Sequence, residues 1–412
     1  MGTKGMVSPF MTCYDTTGET MVIRGIFEEV VNRLVAKGGA IHPKDVHATS
    51  PYTAWITEGH NHVTPFEPEC LKLVLDEMCG EAKVHVLLHT SFVKPIVKGN
   101  KITGAVVLTK SGLERISAQI VIDATGDGDV AYQAGVPCIF GNEKSGKAQP
   151  ATLFFHINNV NSALLEADVV KHLPEFHREN GISYRTLHWW VAKAEAAGEW
   201  DIDRKSVNIY KCVKNDEWAV NSTRISNIDS TNSESLTQGE IEGRRQIDEL
   251  MHFFKKYVPG CENVTLKSSA STLGIRESRH IEGMSKLVVD DILNGKTPED
   301  SVFMAANSID VHGGAGQNGT SYMMIKNGRW YGVPFGTLLP KDIDNLLVAG
   351  RCLSASSDAA GAVRVMPPCM AMGQTAGTAA ALAIKGGLLP KNVDVAQLQS
   401  QLKKDKAFLE KY

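Results

Sequence analysis

A few side chains in this sequence have the type and setting to do chemistry. His312, in "SIDVHGG", stands in a glycine-rich segment where an imidazole could move a proton; the alternative is a histidine held for structure. Arg276 and Arg279, in "GIRESRH", could grip a carboxylate with their planar forks, or form an ion-pair network with the intervening Glu277. His60 and His62 ("GHNH") have no cysteine or carboxylate at metal-ligand spacing, so no metal site is expected. Eight cysteines are scattered singly, with no C-x-x-C pair. That argues against a zinc ribbon, a local iron–sulfur cluster or a dithiol at Cys352 and Cys369.

Three glycine-rich stretches could hold a ligand by backbone approach. Gly314, Gly316 and Gly319 have the G-x-G-x-x-G spacing of a dinucleotide loop. Such a loop works only between a strand and a helix whose N-terminus faces phosphate. Here Thr320, Tyr322 and Ile325 favour a strand, Asn327-Gly328 reads as a hairpin turn, and no acidic ribose ligand follows. The stretch is read as a flexible loop between strands, lining the substrate side. The second stretch is "IVIDATGDGDVAYQAGVP" (120–137), an apolar strand that runs into Ala124, Thr125 and Gly126, then Gly128 and a short helix. The third, "NLLVAGRCLSASSDAAGAVRVMPPCMAMGQTAGTAAALA" (345–383), delivers Gly350 and Arg351 from a strand. Its helix starts at Pro367 or Pro368, and that N-terminus carries about half a positive charge.

The elements around these stretches follow from periodicity. Residues 25–39 predict a helix with Ile26, Val30, Leu34 and Val35 on one face, and residues 67–82 predict a second. From 84 to 123 the period drops to two, predicting the strands "VHVLLHT", "FVKPIVK", "KITGAVVLTK" and "ERISAQIVIDA" in an antiparallel meander. The middle mixes helical patterns with a polar stretch and reads as an inserted second domain. The boundaries expected are 1–149, 150–335, 336–390 and a C-terminal helix in 391–412.

Composition narrows the function. The 43 basic and 46 acidic residues nearly balance, so no nucleic-acid partner is expected. No apolar run approaches the about 18 residues of a membrane span. Sparse cysteines and the lack of a basic-then-apolar leader fit a cytoplasmic enzyme; a homo-oligomer is left open.

Together with "LGIRESRHIEG" (273–283) and "EIEGRRQ" (240–246), the second and third stretches closely resemble a large bacterial family of FAD-dependent oxidoreductases. That family is related to the flavin subunits of fumarate reductases and heterodisulfide reductases. The resemblance implies FAD as cofactor and an α/β fold (α+β overall). Expected is a Rossmann-like FAD-binding domain with a β-meander and an inserted mixed α/β substrate domain. It places Ala124, Thr125, Gly126 and Gly128 at the pyrophosphate and Gly350 and Arg351 at the ribityl–phosphate region. Arg364 and Met366 lie next to the flavin-facing helix, Pro367 and Gln374 belong to it, and all four are expected at the cofactor; Val93 sits beside the adenine. His312 and Arg276 are the catalytic candidates.

The sequence departs from the family pattern. Members open with a roughly 30-residue βαβ unit carrying G-x-G-x-x-G, and the first residues here correspond to the loop after it. The expected fold is therefore incomplete, with poor FAD retention and an exposed sheet edge. Gly336 also stands where an arginine is expected after "VPF". The leading expectation is hydride transfer between flavin N5 and a small organic substrate. The rivals are a truncated, FAD-poor remnant or partner-binding subunit, and a flavin subunit coupled to iron–sulfur electron transfer.

Overall fold

The computed structural model describes residues 1–57, 59–313 and 320–410. Two helices pack near the start, α1 (Ile26–Ala36) and α2 (Pro68–Glu81). The buried face of α1 is Phe27, Val30, Val31 and Leu34, rotated from the predicted stripe so that Ile26 points outward. Phe27 sets that rotation by packing edge-on against buried Phe10.

The meander holds three antiparallel strands, β1 (Ser91–Lys98), β2 (Lys101–Thr109) and β3 (Gly112–Ser117), in that order. Two predicted strands come out differently. "VHVLLHT" forms no ladder, and Val84, Val86, Leu87 and Leu88 stand exposed. Alternation marks a face, but a strand also needs a partner for its backbone. The apolar "IVIDA" segment leaves the meander: β4 (Val121–Asp123) pairs in parallel with a strand far along the chain. A short helix, α3 (Asp129–Gln133), follows its turn.

The chain then builds a second core. After β5 (Cys138–Phe140) come β6 (Phe155–Asn158), α4 (Ser162–His172), the small hairpin β7 (His177–Glu179) and β8 (Ile182–Tyr184), and α5 (His188–Ala196). Next are β9 (Ile209–Lys211), β10 (Trp218–Val220), the long α6 (Ser233–Tyr257) and β11 (Thr265–Ser269). Their four-stranded antiparallel sheet, β11-β6-β10-β9, presents Phe155, Ile157 and Trp218 to Leu250, Phe253 and Phe254 of α6. The apolar residues of this core run from Ala54–Ile56 and Ala151 to Leu273.

The rest returns to the first core. β12 (Arg279–Ile281) pairs with β5, and α7 (Val289–Leu293) follows. β13 (Ser301–Ala305) pairs with β16 (Tyr331–Pro334), whereas β14 (Ile309–His312) pairs with β15 (Thr320–Met323). Residues from Ile281 to Phe335 therefore pack with the first core, although the predicted second domain runs to 335. Asn327-Gly328 lies between strands that do not pair with each other, so it turns no hairpin. β17 (Leu346–Val348), α8 (Ser357–Val363), α9 (Met366–Gly386) and α10 (Val395–Lys404) complete the chain.

Candidate functional site

The parallel pairing of β4 with β17 brings two distant turns together. At the end of β4, fully buried Asp123 organises the first turn: Oδ1 accepts from Thr125 N and Oγ1 at 3.0 and 2.7 Å, and Oδ2 from Ala131 N at 2.9 Å. Gly126 (φ 85°) and Gly128 (φ 67°) take left-handed conformations there. A Cβ on Gly126 would lie 2.6 Å from the Arg351 guanidinium. From the β17 side come Gly350 (φ 104°), with no other atom near its missing Cβ, and Arg351, which donates to Asp127 at 3.2 and 3.3 Å. Ala124, Thr125, Gly126, Gly128, Gly350 and Arg351 thus form one group.

A second group forms where α8 meets β14. Gly361 lets the helix come close, since a Cβ there would sit 2.9 Å from the Asp310 carbonyl oxygen. Arg364, at the C-cap of α8, then donates from Nη2 to that oxygen at 2.9 Å. Helix α9 starts two residues later at Met366, but Pro367 and Pro368 carry no N–H. The helix end therefore offers its dipole with fewer amides than a proline-free N-terminus would. Gln374 turns away: Oε1 accepts from Ile26 N and Nε2 donates to Asp405 O, so it fastens α9 to α1 and the segment after α10. Val93 lies on β1, outside both groups and 38% exposed.

A cavity of about 230 Å³ runs from Arg351, Arg364 and Met366 to the wall of the second core. His312 and Arg276 both line it, and so do Asp310, Arg204 and Tyr210. On a strand alternate residues share a face, so β14 presents Asp310 and His312 side by side, with His312 Nε2 3.4 Å from Asp310 Oδ2. The backbone N–H of His312 is held by Gln149 Oε1. Arg276 is fixed by Pro150 O at 2.6 Å and Asn221 Oδ1 at 3.4 Å, and Arg204 by Asn221 O at 3.0 Å. Arg279 lies elsewhere, paired with Asp129 at 2.9 Å, and Glu277 is buried against Gln149 N and Ser357. Gly314, Gly316 and Gly319 lie outside the described residues; the element after them, β15, is a strand.

Electrostatics separates the roles of the pair on β14. Burial, with Arg276 and Arg364 nearby, pulls His312 down to about 4 against the opposing pull of Asp310. Burial works to raise Asp310, but His312, Arg364 and Arg276 override it and hold the carboxyl well below its usual range. At neutral pH the pair is a carboxylate beside a neutral imidazole. Burial raises Tyr210 to about 12, which keeps its hydroxyl protonated.

These residues fit the FAD that the resemblance implies. The left-handed glycine turn leaves room where a Cβ would collide with Arg351, and Gly350 borders open space. The two groups meet at a cavity that already holds a carboxylate–histidine pair. Sequence reasoning missed Asp310, Arg204 and Asn221. The spacing D-x-H on an expected strand could have signalled Asp310; nothing local marks the other two.

Residues 1–402 match the family described as FAD dependent oxidoreductase. No curated protein matches the chain. Solved structures with some likeness include a p-nitrophenol 4-monooxygenase from Pseudomonas putida (10% identity, TM-score 0.32, 57% of this chain and 49% of that one). A geranylgeranyl bacteriochlorophyll reductase-like protein from Thermoplasma acidophilum gives 13% identity, TM-score 0.36 and coverage of 82% and 60%. An L-proline dehydrogenase from P. horikoshii gives 11%, 0.34, 84% and 62%. The chain spans about half to three fifths of the length of these proteins, and likenesses at this level carry no weight. With nearly its whole length matched, this chain belongs to the FAD-dependent oxidoreductase family.

Proposed function

We propose that this chain oxidises or reduces a small organic molecule bound in the cavity between the start of α9 and the second core. The reading rests on one observation: His312 and Arg276 line the same cavity as Arg351, Arg364 and Met366. Gly126, Gly350, Arg351 and Met366 hold the cofactor, and FAD, when bound, supplies hydride exchange at N5. Arg364, expected at the cofactor, is tied to the Asp310 carbonyl and joins the substrate group. His312, neutral and oriented by Asp310, takes up or releases a proton at the substrate. Arg276, braced by Pro150 and Asn221, positions the substrate without needing to move.

The test is to reconstitute the protein with FAD and follow anaerobic flavin bleaching over a panel of organic acids, amines and alcohols. His312→Asn should keep the flavin content and slow turnover by about 10²–10⁴-fold. An unchanged rate removes the role of His312, and failure to take up FAD removes the whole reading.

A further inference from the structure

We infer that the cavity takes a small organic anion, held by Arg204, Arg276 and Arg364. Calling that anion the substrate rests on the oxidoreductase reading above. Among the described residues eight arginine and lysine side chains line the cavity, against one carboxylate, Asp310. Some of these cations have acidic partners elsewhere: Lys205 pairs with Glu195, Arg224 faces Asp203 and Arg351 faces Asp127. Among the described residues Arg204, Arg276 and Arg364 form no such ion pair; they donate to backbone carbonyls and to an amide side chain. Arg364 Nε is buried with no partner among the described residues. Among the described residues that line the cavity these three guanidiniums face one carboxylate, with Asp203 acting on Arg204 and Glu277 on Arg364 from outside the lining.

A purely structural role does not account for this convergence. An arginine that only crosslinks backbone gains nothing from two more beside it, and each adds repulsion in a poorly solvated space. That repulsion is tangible. Burial, with Arg364 and Arg204 adjacent, brings Arg276 down to about 9, and burial with Arg224 adjacent brings Arg204 to about 10. A bound anion relieves both effects, and the planar forks suit carboxylate or phosphate oxygens. Val7, Ile56, Phe154 and Ile275 supply an apolar part of the lining, which calls for a carbon skeleton and not a bare inorganic ion.

Isothermal titration of the FAD-loaded protein with citrate, succinate, glycerol 3-phosphate and uncharged succinamide, at constant ionic strength, tests this. At least one charged probe should bind saturably, one per chain. Binding should weaken by on the order of tenfold or more in Arg204→Gln and Arg276→Gln. It should stay unchanged in Arg245→Gln, which alters a surface ion-pair cluster on α6. Arg276→Lys, which keeps the charge without the fork, should fall between, and covers the case in which the glutamine variant does not fold. Citrate or succinate binding assigns carboxylates and glycerol 3-phosphate binding assigns a phosphate ester; either supports the inference. Succinamide binding as tightly as succinate, no binding of any charged probe, or equal loss in Arg245→Gln overturns it. Anion binding without flavin-linked turnover keeps the anion site and removes the oxidoreductase reading. Turnover of an uncharged compound does the reverse.

Discussion

At the scale of single residues, the fold sets the protonation of the groups that face the cavity. The unfolded chain takes up a proton on the His312 ring as the pH falls through about 6.5, whereas the native ring waits until about 4. Between those values the unfolded state binds more protons, so acid lowers stability across that window. Asp310 pushes the same way at lower pH, because its native carboxyl stays ionised where the unfolded one protonates. The melting temperature should therefore fall from about pH 7 toward pH 4.5, less steeply in His312→Gln; identical slopes would show that another group governs the window. Asp123 makes a different prediction. Its three accepted hydrogen bonds hold the turn through Gly126, so Asp123→Ala should cost about 2–3 kcal/mol in denaturant unfolding. It should also weaken FAD uptake. The sequence singled out His312 and Arg276 by their neighbourhoods, and both line the cavity. Arg204 was not legible there, because its meaning depends on Asn221 and Arg276, which the fold and not the local sequence puts beside it.

At the scale of elements, glycine reads differently in two helices. On α6, a Cβ at Gly243 would meet Leu153 at 2.7 Å, so Gly243→Ala should destabilise by about 1–3 kcal/mol despite the better helix former. On α9, Gly377 has nothing within 4 Å, and Gly377→Ala should instead stabilise by about 0.5–1 kcal/mol. Thermal or denaturant unfolding of the two variants checks the contrast; the same sign in both would contradict it. Gly361→Val is the functional counterpart. It should push α8 off β14, displace Arg364 and lower turnover while the protein remains folded. Periodicity marked α1 and α2, prolines marked the start of α9, and short apolar runs marked β4 and β17. The sequence did not show which strands would pair. "VHVLLHT" alternates as well as "FVKPIVK", but only the second has a ladder partner among the described residues.

At the scale of the molecule, the chain divides its apolar residues between two cores, and the cavity lies where they meet. The sequence expectation carries the inserted unit to residue 335, whereas the buried apolar residues of the second core end at Leu273. The strands from Ile281 to Phe335 carry ordinary apolar patterns that suit either core, and only their pairing assigns them to the first. This partition has a spectroscopic consequence. Of the six tryptophans, Trp55, Trp189, Trp190, Trp200 and Trp218 belong to the second core and Trp330 alone to the first. Indole emission should thus follow the unfolding of one core almost exclusively, and Trp330→Phe should leave the denaturation curve nearly superimposable on that of the parent. Circular dichroism, summed over helices of both cores, would then separate from the fluorescence trace if the two cores melt apart, giving each half of the cavity its own optical signal.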